Sequence, residues 1–149
     1  MMRLFLTFCV LAVMAVAPAG AQNTYVKGFG ETVRLTTQKQ KTNVTCKSEE
    51  HTEEMEFIET CLYKNRTLMQ AYALYLSDFD VENKSDFIKD IKPGENKQKE
   101  NPARAMSVKY TWKSEENLVI EQNFAGGETL IFFSVQGKDT LVTTKSYPD

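Results

Sequence analysis

Apolar and polar positions alternate most clearly in the last third of the chain. In AMSVKYTWK, Met106, Val108, Tyr110 and Trp112 fall on one side, and Ser107, Lys109, Thr111 and Lys113 on the other. A period of two over eight or nine residues predicts a half-buried strand. SEEN turns the chain, and LVIEQNF sets Leu118, Ile120, Gln122 and Phe124 against Val119, Glu121 and Asn123. AGG breaks that strand. ETLIFFSVQ is a further strand, too apolar for alternation to assign its faces. Gly137-Lys138-Asp139 turns it into TLVTTKSY. Four successive strands with short turns predict an antiparallel meander.

The pattern is weaker upstream. GETVRLTTQ and TNVTCKS each offer a strand, preceded by Gly28-Phe29-Gly30, a glycine pair without the strand and helix that a nucleotide-binding loop needs. EEMEFIETCLYK alternates from Met55, placing Phe57, Cys61 and Tyr63 together. RTLMQAYALYLSDF suits either a strand or a helix. A single helix from Glu53 to Leu76 would carry Thr60, Asn65, Arg66 and Thr67 in its interior, so two strands are expected there. SDFIKDI predicts a short helical turn. IKPGENKQKENPAR, with two prolines and a Pro-Gly turn, predicts a long solvated loop. The fold class expected is all-β, a single antiparallel barrel or sandwich of about seven or eight strands with a C-terminal meander.

The first residues change the compartment. Arg3 precedes an apolar run from Leu4 to Ala17, then Ala19-Gly20-Ala21 supplies a small-residue cleavage pattern. Residues 1–21 read as a secretory signal peptide and 22–149 as one domain of about 128 residues. The apolar run is short for a membrane span, and no later segment is long and apolar enough for one. Cys9 leaves with the signal, so Cys46 and Cys61 remain and predict a disulfide in an oxidising compartment. Three sequons, at Asn43, Asn65 and Asn83, point to a secreted glycoprotein with these positions in exposed backbone.

Charge and chemistry mainly exclude. Eighteen Lys plus Arg against twenty Asp plus Glu give a net charge of −2, and loss of Arg3 with the signal makes it −3. Such a balance speaks against nucleic-acid binding and against a polybasic membrane surface. His51 is the single histidine, which leaves no metal site with enough ligands. Neither the carboxylates around it nor the Asp78/Asp80 pair frames a nucleophile or a general acid. No enzyme activity, metal or cofactor is expected.

Cysteines near the middle, many strands, sequons and the late VKYTWKSEENLVIEQNF…GGETLIFFSV stretch together resemble the salivary lipocalins of ticks and related blood-feeding arthropods. The likeness spans about residues 31–144. The chain lacks a Gly-x-Trp near its mature start and a late cysteine tying down the tail. The resemblance implies a closed barrel that captures a small amine or lipid mediator, or a host protein. A barrel of about eight strands holds one small ligand, and such cavities are lined by aromatic groups with few polar ones. On that reading Tyr72, Tyr110, Trp112 and Phe124 form a ligand wall, with Glu121 or Asp78 neutralising a cationic amine. The expected function is a non-enzymatic secreted binder of a small apolar or amphipathic ligand. The alternative is a cavity-free sandwich module that binds an extracellular protein, with aromatics near termini and loops as anchors.

Overall fold

Among the described residues, nine strands form one antiparallel sheet in the order β1-β2-β3-β4-β9-β8-β7-β6-β5. The computed structural model describes residues 23–27, 32–41, 43–51, 55–78, 81 and 84–149, with backbone alone for 23–27 and 32–41. The strands are β1 (Asn23–Lys27), β2 (Thr32–Lys41), β3 (Val44–His51), β4 (Glu56–Tyr63), β5 (Lys97–Glu100), β6 (Ser107–Ser114), β7 (Asn117–Phe124), β8 (Gly127–Gln136) and β9 (Asp139–Pro148). Between β4 and β5 the described residues include an α-helix, α1 (Leu68–Ser77), and a 3-10 turn at Lys84–Asp86. The expected signal peptide falls outside the described residues.

The all-β expectation and the C-terminal meander hold. Strands β5 to β9 follow one another in the sheet, and β9 then pairs with β4. Turn chemistry explains the short connections. Ser114 Oγ accepts from the Glu116 N–H at 3.2 Å and from Asn117 Nδ2 at 2.9 Å, closing the β6–β7 turn. Gly137 takes φ +65° at the first position of the two-residue β8–β9 turn, a conformation that favours glycine.

The closed barrel does not form. The sheet ends in β1 on one side and β5 on the other, so its ladder is open rather than circular. This overturns both the barrel and the lipocalin likeness. The architecture is the open, sandwich-like branch of the expectation, and its second layer is helical. Cross-strand partners share a face, and one face carries Tyr63, Val142, Phe133, Ile131, Leu118, Ile120, Val108 and Tyr110. All eight are buried. Helix α1 packs on this inner face, with Tyr72 and Tyr75 meeting Phe133 edge-to-face at ring distances of 5.7 and 5.6 Å. Such pairs add about 0.5–1.5 kcal/mol each beyond area burial.

The helix corrects the expectation of two strands between Glu53 and Leu76. Only β4 is a strand there; Leu68–Ser77 is helical. Thr67 Oγ1 accepts from the Gln70 N–H at 3.3 Å, and Gln70 Oε1 accepts from the Thr67 N–H at 3.1 Å. This reciprocal capping box starts the helix after Asn65-Arg66-Thr67 rather than through them. Leu68, Ala71, Tyr72 and Tyr75 then share one stripe, which is the buried one. The loop expected over IKPGENKQKENPAR is likewise only partly a loop. It turns at Pro93-Gly94 and then supplies β5, a four-residue edge strand of three charged side chains and one amide. Short, lysine-bearing edges resist unwanted strand pairing.

A closed ring of hydrogen bonds ties the two layers. The Ile88 N–H donates to the Tyr110 hydroxyl at 2.8 Å, and the Tyr72 hydroxyl donates to the Ile88 carbonyl at 2.6 Å. Each phenol has one proton, so Tyr110 must donate across the 3.0 Å contact to Tyr72. Burial raises both phenol pKa values, which keeps the hydroxyls protonated as donors. Tyr72→Phe should therefore cost about 1–3 kcal/mol in urea unfolding, because the Ile88 carbonyl loses its donor inside the core. Tyr75→Phe should cost less: its hydroxyl, pushed up to about 12 by burial, makes only a 3.4 Å contact to Thr144. Equal losses for the two variants would refute the ring as a structural element.

Candidate protein-binding face

The residues expected to wall a ligand are dispersed by the fold. Tyr72 and Tyr110 are 2 % and 0 % exposed and are consumed in the ring just described. Trp112 sits at one end of the inner face, beside an open cleft of about 390 Å³ bordered by Arg66, Leu68, Met69, Pro93, Val135 and Lys138. Its indole N–H is buried without an acceptor. Phe124 lies at the opposite end, half-buried. Glu121 is on the other face of β7, accepting a long 3.4 Å contact from Asn123 Nδ2. Asp78 caps the C-terminus of α1, its N–H donating to the Tyr75 carbonyl at 3.1 Å. The expected ligand-holding barrel is thus overturned: the concave side that would hold a ligand is filled by α1 and by Phe87 and Ile91.

Cys46 and Cys61 are register partners on β3 and β4 and are joined by the expected disulfide. Glu59 lies close to both sulfurs, but a disulfide leaves no thiolate for a metal. Two sequon residues, Asn43 and Asn65, are exposed and occupy left-handed backbone, φ +70° and +53°. The Lys64 N–H donates to the Asn43 carbonyl at 2.9 Å, so the two sequons sit together at one end of the β3–β4 pair. Asn83 lies outside the described residues.

The outer face of the central strands carries the unexplained chemistry. Val119 on β7 is opposite Phe132 on β8, which is opposite Thr143 on β9 and then Thr60 on β4. One row away, Leu130, Lys145 and Ile58 line up; on the other side, Ser134, Leu141 and Leu62 do. Ile58, Leu62, Val119, Leu130, Phe132 and Leu141 are all half-buried, and none belongs to the core cluster. The α-helix packs on the opposite face. Both signs of charge border this apolar stripe, with Lys109 and Glu121 at one side and Lys47 and Glu49 at the other. An apolar patch with a polar rim is the general form of a protein interface.

This stripe was visible in the sequence as an ambiguity. ETLIFFSVQ resisted face assignment because Ile131 and Phe133 face the core while Leu130 and Phe132 face outward. A strand of a one-sided antiparallel sheet should alternate cleanly.

A second patch interrupts the inner face beyond the reach of α1. Phe57 follows the same parity as buried Cys61 and Tyr63 yet is 45 % exposed. Two open clefts of about 330 and 380 Å³ meet at Phe57 and Ser146. Gly127, at φ +124°, closes the β7–β8 turn beside them; a side chain there would collide with the Tyr147 carbonyl. At the sheet end the Tyr147 hydroxyl donates to Glu56 Oε1 at 2.5 Å and Lys145 Nζ donates to it at 2.9 Å. Tyr147, then Lys145, holds the Glu56 carboxyl below its ordinary range.

Among the described residues no helix is long and apolar enough to cross a membrane. Comparison of the chain with protein-family models, with curated proteins and with solved structures found no match.

Proposed function

We propose that the chain is a secreted, non-catalytic module that binds another extracellular protein through the outer face of β4, β9, β8 and β7. The observation that carries this reading is the stripe of Ile58, Leu62, Val119, Leu130, Phe132 and Leu141 on the side of the sheet away from its helix. Apolar side chains left half in water on four adjacent strands gain free energy when a partner covers them, at roughly 25 cal/mol per Å². The signal sequence, the disulfide and the sequons support an extracellular setting. The sequons Asn43 and Asn65 lie at one end of the strands, so glycans there leave the middle of the face open.

Phe132→Lys tests the reading at the centre of the stripe. The side chain is outside the core cluster, so the melting temperature should move little. Binding should fall by about 2 kcal/mol or more, the effect of losing a central anchor. The measurement is capture from plasma and tissue extract by immobilised wild type and variant, followed by affinity determination on the captured protein after purification. Identical affinity for both, or no partner above background, would refute it.

A further inference from the structure

The cleft beside Trp112 has a bipolar lining. Arg66 enters it from the β4–α1 connection and Lys138 from the β8–β9 turn, while Glu115 and Glu116 enter it from the β6–β7 turn. The strand order β4-β9-β8-β7-β6 therefore sets both cations at one side and both carboxylates at the other. Among the described residues none of these four side chains has a hydrogen bond or an ion pair. The Thr140 hydroxyl donates to the Arg66 carbonyl at 2.8 Å and fixes that residue against β9. Asp139 is outside the lining, and its Oδ1 accepts from the Asn65 N–H at 2.8 Å. Helix α1 begins beside the cations. Its capping box satisfies the N–H groups of Thr67 and Gln70 and leaves those of Leu68 and Met69 without an acceptor among the described residues, a partial positive charge at the same side. The floor is apolar. Trp112, within it, is only 9 % exposed, and its buried indole N–H has no acceptor. A buried donor without a partner is rare in a native fold, and a ligand oxygen would satisfy it.

We infer that this cleft binds the carboxy-terminal end of a partner polypeptide, one with an apolar last residue and a lysine or arginine shortly before it. The terminal carboxylate fits the side of Arg66, Lys138 and the α1 N-terminus, where side-chain and backbone donors favour an anion. An oxygen of the chain end supplies the acceptor that the Trp112 indole lacks. The last side chain lies on Leu68, Trp112 and Val135, and the cation upstream of it meets Glu115 and Glu116. The cleft, of about 390 Å³, holds one or two residues rather than a folded surface. A segment with several acidic groups would bring negative charge toward Glu115 and Glu116, and an internal apolar segment lacks the terminal anion. Capture of a chain end by its carboxylate is a recurring mode of peptide recognition. This site is separate from the outer face and stands without it.

Trp112 is the single tryptophan, so its emission reports this cleft directly. Protein secreted from a eukaryotic host is titrated with a short synthetic peptide that is free of aromatic residues and ends in lysine, serine and leucine with a free carboxylate. The controls are the same peptide amidated at its end, the same peptide with glutamate for lysine, and free leucine. A saturable shift of the emission is expected with the first peptide. Amidation, and the Arg66→Glu and Lys138→Glu variants, should each weaken it about tenfold or more. Glu116→Lys should weaken the lysine peptide and not its glutamate counterpart. Phe132→Lys, on the opposite face, should leave the titration unchanged. Circular dichroism melts establish that each variant folds, and Lys138, exposed in a turn, supplies the charge reversal if Arg66→Glu does not fold. No saturable shift, equal affinity for the amidated peptide, or wild-type affinity in the charge-reversed variants would overturn the inference. Free leucine binding as tightly as the peptide would overturn it too, since the site would then serve a small molecule. Asn65 adjoins Arg66, so the titration is repeated after enzymatic removal of N-glycans. Binding confined to the deglycosylated protein would overturn the inference for the secreted form.

Discussion

Asp86→Ala should destabilise the protein by about 3 kcal/mol or more in urea or thermal unfolding, among the largest effects of any single substitution considered. Asp86 is 0 % exposed, and its two carboxylate oxygens accept from separate backbone donors. Oδ1 takes the Arg104 N–H at 2.9 Å and Oδ2 takes the Ala105 N–H at 3.0 Å. Alanine would leave two backbone donors unsatisfied, one of them at a residue only 4 % exposed. Each buried orphan costs about 1–3 kcal/mol. The carboxylate also joins two stretches of chain that no strand pairing connects: the 84–91 segment over the inner face, and the lead-in to β6. Phe87 and Ile91, 4 % and 5 % exposed, depend on that segment staying in place. Asp86→Asn separates the contributions. The amide keeps one acceptor and turns a donor toward the other N–H, so it should recover less than half of the loss. A change within about 0.5 kcal/mol for Asp86→Ala would show that the segment is held by apolar packing alone.

How far the sequence carried the fold depended on which interactions were local. The meander from Met106 onward was legible because β6 and β7 show a period of two, β8 is a short apolar run, and each turn has its own residues. Only Met106 departs, 57 % exposed at the lip of β6. Helix α1 was missed for a local reason that was present in the text. Thr67-Leu68-Met69-Gln70 is a capping box, and starting the helix there removes the objection posed by Asn65 and Arg66. Strand β5 was hidden because KQKE shows no apolar alternation; its half-buried positions are Lys97 and Lys99, whose Nζ atoms donate to the Asp90 and Ser85 carbonyls. Barrel closure was not legible at all. Strand number and aromatic content are the same for a barrel and for an open sheet, and the outcome turns on whether the concave side holds a ligand or the chain's own helix. Tyr72 illustrates this. It was read as a ligand-wall residue on a strand, but it lies on α1 and its hydroxyl is bonded to Ile88, sixteen residues away in a segment without periodic pattern. The carboxylate of Asp86 and the exposure of Phe57 also arise from pairings far apart in sequence.

Breaking the disulfide should have the second large effect, about 3 kcal/mol, and its location should decide where the loss appears. Cys46 and Cys61 close a loop with a sequence separation of 15, and they sit opposite one another on β3 and β4. In the sheet order β1 and β2 join the rest only through β3. The Cys46–Cys61 bond is therefore a covalent cross-link, beyond the chain itself, between that three-stranded wing and the centre, where β4, β9, β8 and β7 carry the outer apolar stripe. In the chain-entropy account, opening the loop frees the unfolded state and lowers stability overall. Topology adds a regional prediction. With Cys46 and Cys61 both replaced by serine, amide hydrogen exchange should accelerate more across β3 than across β7 and β8, whose pairing lies wholly within the meander. Phe132 lies on the meander side, so partner capture through the outer face should survive whenever the domain stays folded. Two alkylated thiols in native protein by intact mass, or equal melting temperatures with and without reductant, would remove the staple from the account. Uniform loss of exchange protection over all strands would instead show that the wing and the centre unfold as one unit.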